Sequence, residues 1–156
     1  MHKDLEKYNI FPKKTYDLSF KFPFELIPKE FIWDFIRGFF DGDGCISFTN
    51  QKNFKFDFYG TSKDFMNQIG DLFEKEFGVE KRITGIKKSN MTLYTLNFFS
   101  NYKRLEFIEK VYYEFYKNKK YFLVRKQNHF LDYLMFKYRD NPEDCERLQD
   151  IVERRD

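Results

Sequence analysis

Ile36-Arg37-Gly38-Phe39-Phe40-Asp41-Gly42-Asp43-Gly44 constrains this 156-residue chain more tightly than any other stretch. Just upstream, Pro28-Lys29-Glu30 offers a helix start, and the apolar spacing predicts a helix over residues 28–40. Asp41-Gly42-Asp43-Gly44 reads as its stop, a turn-forming and C-capping run. Gly38 and Gly42 are four apart and so share one helical face. Small residues on a common face let a second helix approach backbone to backbone. A glycine cap accounts for Gly42 or Gly44. It does not account for the two carboxylates, Asp41 and Asp43, beside them at a junction of helix and strand.

Downstream the period changes. Cys45-Ile46-Ser47-Phe48-Thr49 and Phe54-Lys55-Phe56-Asp57-Phe58-Tyr59 alternate as strands do, around a turn at Asn50-Gln51-Lys52-Asn53. One face carries Ile46, Phe48, Phe54, Phe56 and Phe58; the other is polar. Gly60-Thr61-Ser62 ends this hairpin and caps a helix over residues 63–77, which Gly78 stops. A second hairpin is expected over residues 81–87 and 91–99, then helices over 103–116 and 121–138. The order is helix, hairpin, helix, hairpin, helix, helix. The expected class is α+β, αββαββα, with one four-stranded antiparallel sheet and helices on its greasy face. Residues 1–28 read as an irregular lead-in, 29–138 as a single domain and 139–156 as an acidic tail.

At 42% hydrophobic and 34% charged, the chain has matter for one core and too much for disorder. No run approaches the roughly 18–20 apolar residues of a membrane span. Met1-His2-Lys3-Asp4-Leu5-Glu6-Lys7 is too charged for a secretory signal. Cys45 and Cys145 lack CxxC spacing and His neighbours, which argues against a disulfide scaffold or zinc knuckle. An intracellular, reducing location and no membrane partner follow as expectations. Residues 1–138 carry a net charge of +6 and residues 139–156 a net charge of −3, so the body is basic and hints at a polyanion. The 22% aromatic content and the lack of alanine fit an A/T-rich genome and carry no functional weight. With only His2 and His129, a histidine-metal nuclease is not supported. A calcium-binding EF-hand loop from Asp41 fails at Cys45, Ile46 and Lys52. An RNA-recognition motif fails because Asp41-Gly42-Asp43 follows Phe40 where strand formers belong.

The nine residues from Ile36 to Gly44 resemble the signature of the LAGLIDADG homing endonucleases, in its DGDG variant. Pro12-Lys13-Lys14-Thr15 with Phe22-Pro23, Tyr59-Gly60-Thr61, and Tyr121-Phe122-Leu123-Val124-Arg125-Lys126 are similar to further elements of that family, in the same order. The resemblance implies a saddle-shaped sheet and two signature helices crossing side by side, with Phe35, Gly38, Phe39 and Gly42 in a homodimer interface. It implies that Asp43 binds a divalent metal, Mg²⁺ with Mn²⁺ as a substitute, and takes part in catalysis with Lys126; Asp41 falls to a structural role. The function implied is site-specific hydrolysis of both strands of a long, pseudo-palindromic DNA duplex, as expected of a mobile genetic element. In phase with Asp43, the polar face offers Cys45, Ser47, Thr49, Gln51, Lys55, Asp57 and Tyr59 to the DNA, with Arg82, Thr84 and Lys87 from the second hairpin. The rival reading is a DNA-binding protein on the same fold without cleavage, a regulator or an intron maturase.

Overall fold

Both periodicities resolve into regular elements. The structure, a computed structural model, describes Glu6 and residues 21–49, 53–99, 104–117 and 122–139. Two short 3-10 turns, Phe24–Leu26 and Lys29–Phe31, lead into α1, Ile32–Asp43. Then come β1, Gly44–Thr49; β2, Asn53–Gly60; and α2, Lys63–Phe77. They are followed by β3, Glu80–Lys87; β4, Thr92–Phe99; α3, Arg104–Tyr116; and α4, Val124–Tyr138. The four strands form one sheet in the order β1-β2-β4-β3. β4 pairs antiparallel with both β2 and β3. This is the expected α+β arrangement. Apart from Glu6, the lead-in before residue 21 lies outside the described residues, as do Asn50-Gln51-Lys52, Ser100-Asn101, Lys119, Lys120, Tyr121 and the acidic tail from residue 140.

By its contacts the chain divides into two compact units, and the division cuts through strands. The first holds residues up to Gly44 together with Asp57–Phe99. Its centre is Phe58, fully buried, with ring centroids 5.2 Å from Phe40 and 5.6 Å from Phe73. Phe73 in turn stacks on Phe98 at 4.5 Å, and Trp33 meets its edge at 5.3 Å. Offset and edge-on ring pairs of this kind add to area burial. Ahead of α1, the Gln68 side-chain amide clamps the backbone of Phe22: it accepts from Phe22 N and donates to Phe22 O, both at 2.9 Å. Ser62 caps α2 by accepting from Phe65 N at 3.1 Å, and Gly78 ends α2 at φ 64, as the spacing predicts.

α2 lies close against β3. Gly70 leaves room for Lys81, since a Cβ there would collide with the lysine stem and stand 3.3 Å from Leu96 Cδ1. Lys81 binds Asp71 and, at 3.0 Å, Glu74, while Lys81 N donates to Glu74 Oε1 at 3.0 Å. The backbone and side-chain hydrogen bonds from Lys81 hold the Glu74 carboxyl below its ordinary range. The hydrogen bond to Asp71 raises the Lys81 ammonium, against its partial desolvation.

The second unit holds Cys45–Phe56 and the residues from 100 onward. Phe130 is fully buried at its centre, 5.5 Å from Phe56 and 5.9 Å from Tyr116 between ring centroids. Phe54 stacks on Tyr133 at 4.1 Å, and Gln127 donates to Tyr112 Oη at 3.3 Å. α4 starts at Val124 rather than at residue 121. Leu123, extended at φ −79 and ψ 104, serves as its N-cap residue, and Lys126 N and Gln127 N both donate to its carbonyl.

One expectation is corrected at the signature itself. Asp41-Gly42-Asp43 is not a turn: it completes the last turn of α1, and β1 begins at the next residue. Among the described glycines only Gly78 has positive φ, so Gly42 continues the right-handed helix instead of stopping it. The break comes at Gly44, extended at φ −91 and ψ 159, whose N–H donates to Phe40 O. A Cβ on Gly44 would collide with the ring of Phe40 and stand 2.5 Å from its carbonyl oxygen. Close approach, rather than a left-handed cap, demands glycine there.

Candidate nucleic-acid interface

Asp43 is the final residue of α1 and is exposed; Asp41 is half-buried. The C-terminal end of a helix carries the negative pole of its dipole and favours cations. Here the last turn has two acids and no basic side chain. That runs against the local preference, and such violations concentrate at functional sites. The carboxylate of Asp43 and the terminal carbonyls of α1 are hard oxygen donors, the kind that Mg²⁺ takes. Among the described residues no three His, Cys, Asp or Glu side chains cluster as a metal cage.

Gly38 and Gly42 lie exposed on α1, and a Cβ at either would meet nothing within 4 Å. Unlike Gly44 and Gly70, they make room for no side chain among the described residues. Phe31, 53% exposed, precedes them along the same face. Phe35 and Phe39, expected in the dimer interface, pack against the chain's own rings. Phe35 lies 4.2 Å from Phe22, and Phe39 lies 5.0 Å from Phe65, between ring centroids. Both remain half-buried, so each also keeps surface of its own.

The polar side of the sheet follows the register. In the first unit, Asp57 pairs with Asn97 and Asn97 with Arg82; Tyr59 pairs with Thr95 and Thr95 with Thr84. The neighbouring positions Phe58 and Leu96, fully buried, face the helices. Asp57, Tyr59, Arg82 and Thr84 thus share the open side, and Tyr59 Oη donates to Asp57 Oδ2 at 3.3 Å. Lys87 pairs with Thr92 and is out of phase with Arg82 and Thr84, on the parity of the helix-facing Lys81. It is exposed because it ends its strand. Sequence reasoning missed Thr95 and Asn97. The Asn97 side-chain oxygen is buried and has no hydrogen-bond partner. The alternation of β4 could have found both residues once its register against Asp57 was known.

In the second unit Cys45 and Ser47 are half-buried and Lys55 is exposed, alternating with the buried Ile46, Phe54 and Phe56. Thr49 ends β1. Lys126 is only 4% exposed in the first turn of α4, while Arg125 beside it is exposed. A lysine so far from water is not an ordinary solvated helix position, because its charge demands compensation. Among the described residues no helix is long and apolar enough to cross a membrane.

Comparison with known proteins gives one match. The family model described as a LAGLIDADG-like domain matches residues 30–112, which takes in α1, both hairpins and most of α3. No curated protein and no solved structure matches the chain.

Proposed function

The chain belongs to the LAGLIDADG-like family, and from that premise we propose that it is a site-specific DNA endonuclease working as a pair of identical chains with a divalent metal. The family is one of DNA-binding endonucleases. The observation that carries the reading to this chain is the end of α1: an exposed Asp43 on a helix pole that repels it, beside two glycines whose open side nothing among the described residues fills.

Two copies of α1 crossing at Gly38 and Gly42 bring the two Asp43 carboxylates toward one axis. A symmetric pair reads two half-sites, so its target is pseudo-palindromic and both strands are cut. Each Asp43, with helix-end carbonyls, would hold a magnesium ion, which when bound supplies Lewis-acid charge to the phosphate and acidifies a water. The chain's own contribution is orientation. Gly44 fixes how α1 ends, because its close approach to Phe40 leaves no room for a side chain just after the carboxylate. Lys126 is assigned as the basic group that stabilises charge on the cut phosphate. The open strand face contacts the major groove, which admits a β-ribbon.

The test is incubation of the protein with randomised duplex and genomic DNA plus Mg²⁺, beside Asp43→Asn. The expected result is discrete double-strand cuts by the wild type, with binding kept and cutting lost in the variant. Equal cutting by both would remove Asp43 from the mechanism. Specific binding by the wild type without any cutting would favour the regulator or maturase reading. Gel filtration reads the subunit count, and a lone monomer that cuts both strands would contradict the pairing.

A further inference from the structure

The β3–β4 hairpin carries a feature that the polar-face reading leaves unused. Ile86 pairs with Leu93 across the two strands, on the same parity as Arg82, Thr84, Thr95 and Asn97. Ile86 is 58% exposed, and Leu93 is half-buried. β3 is the terminal strand of the sheet. Edge strands are ordinarily protected by charge, because an exposed apolar edge invites aggregation. Single surface hydrophobics are commonplace. Two in cross-strand register, at the end of an otherwise polar face, form a designed-looking patch.

The register that creates the patch is held from the other side. A Cβ on Gly85 would stand 3.0 Å from Tyr94 Cε1 and 3.1 Å from Thr92 Cγ2, so the Tyr94 ring lies over the glycine. A slip by one residue would lose that fit and turn Ile86 inward. The surrounding charge names the occupant. From Lys81 to Phe99 the chain has four basic residues, Lys81, Arg82, Lys87 and Lys88, and no acid. Lys81 is turned to Asp71 and Glu74 on α2. Arg82, exposed, shares the face of the apolar pair, and Lys88 is exposed in the turn beyond it; Lys87, exposed at the end of β3, has the opposite parity. An apolar spot flanked by exposed basic residues suits a surface that is apolar locally and anionic around it. The major groove has one such group, the C5-methyl of thymine, lying between two phosphate rails.

We propose that Ile86 and Leu93 read thymine methyl groups in the major groove, while Arg82 and Lys88 contact the flanking phosphates. This rests on the DNA-binding reading above. Cross-strand neighbours stand about 5 Å apart and base pairs about 3.4 Å, so the pair covers one thymine or two adjacent ones per half-site. Burying one methyl is worth about a fourfold change in affinity.

The experiment uses the full chain without divalent metal, to select bound duplexes from a randomised pool. Each thymine of the selected duplex is then replaced singly by deoxyuridine, which differs only in lacking the methyl. The expected result is about a fourfold loss of affinity at one or two neighbouring positions per half-site and none at other thymines. Ile86→Thr and Leu93→Ala, each checked by thermal melting, should be insensitive to deoxyuridine at those positions and should relax the thymine preference on re-selection. Unchanged preference and unchanged sensitivity in both variants would overturn the contact while leaving DNA binding intact. Altered self-association with unchanged DNA selection would assign the patch to a second copy and overturn it as well. Failure of the wild type to enrich any duplex would refute the DNA-binding reading itself, and the thymine contact with it.

Discussion

Gly38→Ala with Gly42→Ala should move the stability of the single chain and the affinity of the pair in opposite directions. In the single chain, both new methyls enter space with no neighbour within 4 Å, and neither glycine has positive φ. Alanine therefore brings its helix propensity at no steric cost. Gly38 is interior and is worth about 1 kcal/mol; Gly42, next to the end of α1, counts for less. A sum of about 1.5 kcal/mol raises Tm by roughly 3–6 °C in a chain of this size. In a symmetric pair each substitution occurs twice at the crossing. Overpacking a tight contact costs about 1–3 kcal/mol, so doubling it weakens the pair from about 30-fold to beyond 10,000-fold. Urea unfolding under dilute conditions reads the first effect, and sedimentation velocity across a concentration series reads the second. Gly44→Ala is the control, because its methyl meets Phe40 within the same chain and should lower stability without any partner. A double variant that is less stable as a single chain, or that pairs as tightly as the wild type, would refute the reasoning.

Two further outcomes follow from the first unit. Lys81→Met should flatten the pH dependence of stability at both extremes. The lowered Glu74 contributes stability that is present above its ordinary value of 4.5 and lost as pH falls through its depressed one; the raised Lys81 contributes stability that is present below its ordinary value of 10.5 and lost as pH rises through its elevated one. Both contributions are small for partly exposed groups, and urea midpoints measured from acid to alkaline pH check them; a variant with the same curve as the wild type would count against the Lys81 clamp. Asn97→Leu should leave the free chain as stable or more so, by up to about 1–3 kcal/mol, since it removes a buried acceptor that has no partner. A lower melting temperature would show that the asparagine is satisfied in solution.

What the sequence made legible, and what it withheld, divides along a physical line. Strict alternation in Phe54-Lys55-Phe56-Asp57-Phe58 and the cap chemistry of Ser62 and Gly78 are local signals, and the elements they predict are present. The same local rule, glycine and aspartate as helix breakers, misplaces the end of α1, where conformation is decided by contact: Gly44 is needed for the ring of Phe40, and Gly42 makes room for nothing among the described residues. The phase of the second hairpin was equally out of reach. Lys87 and Arg82 are both basic and both on β3, and only the pairing of Arg82 with Asn97 and Lys87 with Thr92 separates them. Burial was the third hidden quantity. Arg125 and Lys126 are adjacent cations in the sequence, yet one is exposed and the other is withheld from water by the packing of α4.

The same division argues for where function lies in this molecule. Glycines, acids and aromatics that the fold requires can be told from those it does not by asking what each one touches. Gly44, Gly70 and Gly85 each answer to a side chain of their own unit: Phe40, Lys81 and Tyr94. Gly38 and Gly42 answer to none among the described residues, and the helix bears their propensity cost, about 1 kcal/mol for an interior position, without return from those residues. Asp43 sits at a pole that repels it, and Ile86 sits on an edge that charge would protect better. Each of these residues makes the isolated chain slightly worse, and the proposed function would repay each with one specific thing: a second helix, a cation, a methyl in the major groove. These additions are mutually compatible in a single assembly, because a metal-loaded pair of chains on duplex DNA would supply all three together. Were the four residues to prove indifferent to DNA, metal and self-association alike, their cost would stand unexplained and the endonuclease reading would lose its footing in this chain.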